Sequence, residues 1–447
     1  MQLTRIAERD SRERTRGRGI APRSASLSGF VVSSATMAAL QLEGDPTDVG
    51  MSAERLARID THFRKYVDDG RLPGWLISVS RRGKLVHLST YGHRDIEAAK
   101  PVETDTLWRI FSMTKPITAV LALQLWEEGA FELNDPVYRY IPAFRNQKVF
   151  RAGGSTAPIL DPVVEKMRLW HLFSHTSGLT YGFMFAHPVD ELYRKAGFEW
   201  GMPRDLDLEA VVDRWASLPL LFQPGSEWNY SVGLDVLGRV LEVITGQRLD
   251  DLLRERLLEP LGMNETTWFV DEAHAPRLAG LYGVNPETRK AMRMDAMDRG
   301  TLREPKAHGG GGGLVSTAHD YHRFTQMLLR GGELDGVRIL APGTVKYMAS
   351  NHLPGGVDLS AFARPLFAET TFDGVGFGLG VSVTIDPVKG RVPGSVGEYA
   401  WGGAASTAFW IDPAEDLVVQ FFTQLLPSST HPIRSQLKQL VYQSIVA

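Results

Sequence analysis

Strand signals in this chain of 447 residues gather at its two ends, and that distribution limits the fold more than any other feature of the sequence. Near the start, residues 74–80 and 85–90 form two extended, apolar-bearing runs joined by Arg81, Arg82, Gly83 and Lys84, a hairpin signal with glycine in the turn. A helix precedes them, with Leu56, Ile59, Phe63 and Val67 on one face, Ser52 at its N-cap and Glu54 in its first turn. Strand runs return at residues 376–384, 395–401, 406–411 and 417–423, followed by a helical pattern through Ile433, Leu437, Leu440, Val441 and Ile445. Between them, helical stretches at 117–128, 169–174, 208–217, 234–244 and 249–257 alternate with loops rich in Pro, Gly and Asp. The reading is an α+β fold: one antiparallel sheet flanked by helices and built from both chain ends, plus a mostly helical inserted domain. The expected boundaries are 46–116 with 304–447 for the sheet domain and 117–303 for the helical one.

Composition narrows the function. A hydrophobic content of 43%, a charged content of 23% and a net charge of −3 give no basis for nucleic-acid or lipid-surface binding, so the expected partner is a small molecule. The absence of cysteine excludes disulfides, a cysteine nucleophile and thiolate metal sites. There is no P-loop or dinucleotide fingerprint, and no cofactor is expected. His171 and His175 have i, i+4 spacing but lack the glutamate of an H-E-x-x-H run, so they read as structural and no metal is expected. His319 and His322 read as helix-surface residues. No run of 18 apolar residues is present, which argues against a transmembrane helix. Residues 1–45 read as a disordered lead: residues 1–23 hold Arg5, Arg9, Arg12, Arg14, Arg16, Arg18 and Arg23, and a serine-rich stretch follows. It lacks a compact apolar core, so a cytoplasmic location is expected over an exported one, with Met37 or Met51 as alternative starts.

The chemistry is placed at Phe111-Ser112-Met113-Thr114-Lys115, between an extended stretch and a long apolar helical run. At a helix start, Ser112 and Lys115 share a face and the amine can reach the hydroxyl. A desolvated lysine can take the serine proton, so Ser-x-x-Lys is a compact nucleophile-plus-base device, and the helix N-terminus favours negative charge developing beside it. The pattern alone is cheap: 27 serines and 12 lysines give about 0.7 chance matches. Ser435-Gln436-Leu437-Lys438 has the same spacing, but on a terminal helical stretch where a solvated face is the plain reading. No G-x-S-x-G occurs, against a nucleophile elbow.

Two further features follow in order: Tyr230-Ser231-Val232, just before the helix at 234–244, and Trp401-Gly402-Gly403-Ala404 at a strand. Taken alone, Tyr230 is a residue at the start of a helix with a locally bonded hydroxyl. The ordered set resembles the serine β-lactamase-like hydrolases, over roughly residues 50–446, and the flanking segments 169–179, Pro224-Gly225 and 311–317 agree. Where lactamases carry Tyr-x-Asn and Lys-Thr-Gly, this chain has Val232 and Trp401-Gly402-Gly403, so the resemblance is to the family VIII carboxylesterases. It implies Ser112 as nucleophile, Lys115 and Tyr230 as a coupled proton-transfer pair, and the backbone N–H groups of Ser112 and Ala404 as an oxyanion hole. Val232 and Trp401 in place of an amide and a cation imply a preference for neutral, apolar ester groups, and Gly402 and Gly403 are expected to let the strand approach substrate. The run Gly309 to Gly313 reads as a flexible hinge rather than a wall of the site. A carboxylesterase on short-chain esters is expected, with weak side activity on cephalosporins. The alternatives are a class C-like β-lactamase or D-Ala-D-Ala peptidase, and a catalytically silent binding module.

A serine-directed phosphonate or sulfonyl fluoride is expected to modify Ser112 and leave Ser435 untouched, read by mass spectrometry of the labelled peptides. Ser112→Ala should abolish both labelling and hydrolysis with the fold intact, while Ser435→Ala changes neither.

Overall fold

A computed structural model describes residues 39–364 and 370–447, so most of the expected disordered lead, residues 1–38, lies outside the described residues. The chain is already packed at Leu40, which is buried, and at Glu43, whose N–H donates to the Leu85 carbonyl. The described fold thus starts a few residues ahead of the expected position 46.

Helix α1 (Ala53–Asp68) begins where Ser52 accepts a hydrogen bond from the Arg55 N–H, satisfying one of the free amides of the first turn. Strands β1 (Gly74–Arg81) and β2 (Lys84–Asp95) form the hairpin expected from Gly83, and a short β3 (Lys100–Pro101) lies on the outer side of β2. The other strands come from the far end of the chain: β4 (Val375–Phe377), β5 (Ser382–Thr384), β6 (Tyr399–Gly402), β7 (Ala408–Asp412) and β8 (Leu417–Phe422). They join into one eight-stranded sheet, ordered β4-β5-β6-β7-β8-β1-β2-β3, with every pairing antiparallel. The pairing of β1 with β8, Leu76 opposite Phe422 through Arg81 opposite Leu417, is the seam between the two chain ends.

Both faces of the sheet are covered, and the two-residue period of a strand decides which side chain goes where. Trp75, Ile77 and Val79 with Leu417, Val419 and Phe421 join a core under α1 and the C-terminal helix α5 (Ile433–Tyr442). Leu76, Val418 and Phe422 face the opposite way into the larger core, which includes helix α2 (Thr114–Glu127), α3 (Gly233–Thr245) and α4 (Ala318–Leu329). This larger core is continuous from the sheet through the helices of the middle segment, and residues 39–447 make one compact unit. Helix α2 is buried along nearly its whole length, including Thr114, Lys115 and Thr118, as its apolar sequence on all sides requires.

Several local expectations shift. The single strand read at 376–384 is a hairpin, β4 and β5, which reverses where the Gly378 N–H bonds the Val381 carbonyl and Gly380 takes φ 86°. The mostly helical segment also holds a two-stranded ribbon, Lys148–Gly154 with Ala157–Pro162, whose mixed polarity hides its pattern. His322 is not a surface residue: its ring lies against the sheet, Nε2 2.8 Å from the Ser80 hydroxyl, and burial pushes it down to about 4. Among the described residues no helix is long and apolar enough to cross a membrane.

The second Ser-x-x-Lys is accounted for by structure. Ser435 donates to the Pro432 carbonyl at 3.1 Å, and Lys438 is ion-paired with Glu398, a carboxylate only 1% exposed that also accepts from the Tyr442 hydroxyl. Removing one partner of such a pair leaves a buried charge uncompensated. Lys438→Met should therefore cost about 3 kcal/mol in urea unfolding, and adding Glu398→Gln should recover much of it.

Candidate active site

Ser112 sits in a single 3-10 turn, Phe111–Met113, that leads directly into α2. The turn is fixed from both sides. Ile110 donates to the Leu314 carbonyl and Met113 to the Ile110 carbonyl, while Phe111 is held at φ 44°, a left-handed conformation that is costly for a bulky side chain. Such a strained residue persists only where its surroundings over-determine it, and here it precedes the expected nucleophile.

From the first turn of α2, Lys115 reaches back so that its Nζ lies 3.2 Å from Ser112 Oγ. The lysine is 1% exposed, and an ammonium so far from water requires acceptors. It donates to the Gly311 carbonyl at 2.6 Å, and its Nζ is 4.6 Å from the centre of the Tyr230 ring and 5.4 Å from that of Tyr181. Tyr230 stands in the loop before α3, buried among rings: Tyr181 at 5.3 Å, His175 at 4.9 Å, Trp401 at 5.5 Å edge-on and Trp228 at 6.3 Å stacked. Ser112, Lys115 and Tyr230 are thus brought together from two segments 115 residues apart in the sequence, as the motif reading expects.

Trp401 of β6 is buried, and its ring meets both Tyr230 and Phe377, so an apolar wall stands beside the tyrosine. The strand end carrying Gly402, Gly403 and Ala404 lies against the Ser112 turn. The two glycines, expected to let the strand approach substrate, meet the protein itself on the sides where side chains would stand. A side chain on Gly402 would strike the Arg434 guanidinium, and one on Gly403 would strike the Ile110 carbonyl and the Thr407 hydroxyl. Both openings are filled by the protein, and Gly403 is what lets the strand close on the backbone ahead of Ser112. Val232 is a buried core residue whose carbonyl accepts the first N–H groups of α3, from Asp235 and Val236.

The glycine run is a wall of the site and not the hinge expected from its composition. Gly309 accepts from the Trp268 indole at 3.1 Å, Gly310 from the Thr118 hydroxyl at 2.8 Å and Gly311 from Lys115. The Gly311 N–H donates to Asp235 Oδ1 at 2.8 Å, and Asp235 fills the space where a Gly311 side chain would be. Glycine is required here for close approach, not for motion. Asp235 escaped the sequence reading, although a single acid in the first turn of the apolar helix α3 was the available signal. Burial pushes its carboxyl above the ordinary range, partly countered by the Lys115 charge and the Gly311 N–H. A chain of contacts therefore runs Asp235, Gly311, Lys115, Ser112.

The two histidines take structural positions. His171 Nδ1 accepts the Arg168 N–H at 2.9 Å, and burial lowers it to about 3. His175, at φ 57°, places Nδ1 3.1 Å from the Ser231 hydroxyl and forms an edge of the ring cluster around Tyr230; burial, then the Lys115 charge, holds it well below its usual range. It is a neutral packing group next to a cation.

The beta-lactamase family model matches residues 59–443. A Mycobacterium tuberculosis protein described as uncharacterized is 36% identical over 368 residues, 82% of this chain and 89% of that one. Esterase EstB of Burkholderia gladioli is 32% identical over 420 residues, 89% of this chain and 98% of its own. Among solved structures, EstCE1, a hydrolase with promiscuous acyltransferase activity, superposes with a TM-score of 0.72 at 26% identity, covering 87% of this chain and 99% of its own.

If Asp235 acts by holding Gly311 in place under the lysine, Asp235→Ala should lower kcat about 10- to 100-fold, because small misplacements of a reacting group are costly. KM should change less, and Asp235→Asn, which keeps an acceptor for the Gly311 N–H, should recover most of the loss. Steady-state kinetics of the two variants with rates of Ser112 labelling check this.

Proposed function

The chain belongs to the beta-lactamase family and is a serine hydrolase of its esterase kind; from that premise we propose that it hydrolyses short-chain acyl esters of neutral, apolar character through an acyl-enzyme on Ser112. The observation that carries this reading is the placement of Lys115 Nζ at 3.2 Å from Ser112 Oγ, in a buried setting walled by Tyr230 and Trp401.

In this reading Lys115 stays an ammonium and the deprotonated Tyr230 oxygen of the Lys115/Tyr230 pair takes the Ser112 proton as Oγ attacks the ester carbonyl. The oxyanion is assigned to the N–H groups of Ser112 and Ala404, a reading supported by the close approach of Gly403 to the Ile110 carbonyl. The pair returns a proton to the departing alcohol, and water repeats the sequence in reverse to release the acid. Asp235 and Gly311 position Lys115 without touching substrate. Because Lys115 and Tyr230 are coupled, replacing both should cost far less than the product of the single losses.

The apolar wall sets the substrate preference. A β-lactam is chemically within reach of the same core, yet Val232 and Trp401 stand where lactamases provide an amide and a cation for the substrate. A missing partner for a substrate carboxylate costs roughly 1.5–3 kcal/mol, about 10- to 150-fold in affinity. A second reading, acyl transfer to an alcohol in place of water, is favoured by the likeness to EstCE1, a hydrolase with promiscuous acyltransferase activity.

Nitrophenyl esters of short acids should show a burst of nitrophenol equal to the enzyme concentration, with kcat/KM well above that for nitrocefin. A lactam kcat/KM exceeding that of the best ester would transfer the assignment to the β-lactamase alternative, and loss of the burst would remove the acyl-enzyme.

A further inference from the structure

The rings around Lys115 continue outward as a track that reaches solvent. Tyr181 lies 5.3 Å from Tyr230, and Phe183 stacks on Tyr181 at 4.7 Å with planes 19° apart. Trp200 lies parallel to Phe183 within 9° at 6.4 Å, and Phe185 meets Trp200 at 6.2 Å. The outer end is left in water: Trp200 is 65% exposed and Phe185 57% exposed. Two large apolar side chains kept side by side in water, continuous with a reaction site, mark a surface that something apolar covers.

The track is braced. Arg194 donates to the Gly182 carbonyl at 2.6 Å and sets its guanidinium 4.2 Å over the Phe185 ring. The Phe198 carbonyl occupies the space a Gly182 side chain would need, so the loop bearing Phe183 and Phe185 is pressed against the segment that carries Trp200. Ring spacings from 4.7 to 6.4 Å are those of aromatic pairs, and the series ends on the Trp200 ring, parallel to Phe183, with Phe185 tilted 51° beside it.

We propose that Phe183, Phe185 and Trp200 form the subsite for the alcohol portion of the ester, suited to a large, flat, apolar alcohol of naphthyl size or more. The inference rests on the reading of Ser112, Lys115 and Tyr230 as the acyl-transfer core, and it fixes which half of the ester lies on the track. The departing alkoxy oxygen must lie within hydrogen-bond reach of the Lys115/Tyr230 pair that protonates it. Tyr181 flanks both members, 5.4 Å from Nζ and 5.3 Å from the Tyr230 ring, so the body of the alcohol leaves the site past Tyr181 toward Phe183 and Trp200. The acyl group is bonded to Ser112, with its oxygen assigned to the N–H groups of Ser112 and Ala404.

The test compares two butyrates, ethyl and 2-naphthyl, which share one acyl-enzyme and differ only in the alcohol. Trp200→Ala should raise KM for the naphthyl ester about 10-fold, the loss of one stacking face and its burial, while kcat/KM for the ethyl ester changes less than about twofold. Trp200→Phe, which keeps a ring, should retain most of the naphthyl preference. Equal losses on both esters, or none on the naphthyl ester, would overturn the proposal. Equilibrium binding of 2-naphthol, followed by its own fluorescence, gives a readout that needs no hydrolysis. Its Kd should rise about 10-fold in Trp200→Ala, and an unchanged Kd would sink the track even if the esterase reading held. A protein that bound 2-naphthol through Trp200 but cleaved neither ester would refute the esterase reading instead.

Discussion

A primary amine buried beneath a serine is the constraint on which the rest of this structure depends. Lys115 is 1% exposed, and a charged ammonium taken out of water is costly unless it finds oxygen acceptors and an electron-rich surface. The fold supplies both. The Gly311 carbonyl and Ser112 Oγ accept from Nζ, and the faces of Tyr230 and Tyr181 lie within cation–π distance. Each of these groups is fixed in turn by something larger: Gly311 by Asp235, Ser112 by the strained turn at Phe111, and Tyr230 by a cluster of rings from three separate segments.

That arrangement explains why the sheet must be assembled from both ends of the chain. The turn bearing Ser112 follows the N-terminal hairpin, and the strand end with Gly403 and Ala404 belongs to the C-terminal set. Pairing β1 with β8 brings the two sets into one sheet, and Gly403 then packs against the Ile110 carbonyl. The helices of the middle segment close the other side, with α3 presenting Asp235 and the loop before it presenting Tyr230. Sheet and helices share one continuous core, so the site lies where the packing is most constrained and a reacting group can be held within a few tenths of an ångström.

The side of the site nearest Trp401 has a different physical character. Trp401, Phe377, His175 and Trp228 enclose Tyr230 in rings, and His175 is kept neutral by burial next to a cation. A wall of this kind stabilises apolar substrate groups by removing them from water and offers little to a carboxylate. In the proposed function, the same loss of a charged partner would weaken lactam recognition and favour neutral esters. On that proposal one chemical core would have its selectivity set by neighbouring side chains.

The sequence by itself determined the α+β fold, the hairpin at Gly83, the cap at Ser52 and the approach of Lys115 to Ser112, because turn chemistry, strand periodicity and helical spacing are local rules written in adjacent residues, whereas Tyr230 joined them only through the resemblance of the ordered motifs. Only the tertiary structure decided which groups hold those three in place. The glycine run read as a hinge because flexibility is what glycine composition signals, yet its role comes from the direction of three carbonyls and from the contact of Gly311 with Asp235, 76 residues away. Gly402 and Gly403 read as letting the strand approach substrate, and only the structure shows that Arg434 and Ile110 occupy the space beside them. His322 read as surface because helical position alone does not reveal that Ser80 of a distant strand lies opposite. In each case the missing information was which atoms from far along the chain occupy the space beside a residue, and this is set by packing, not by local sequence.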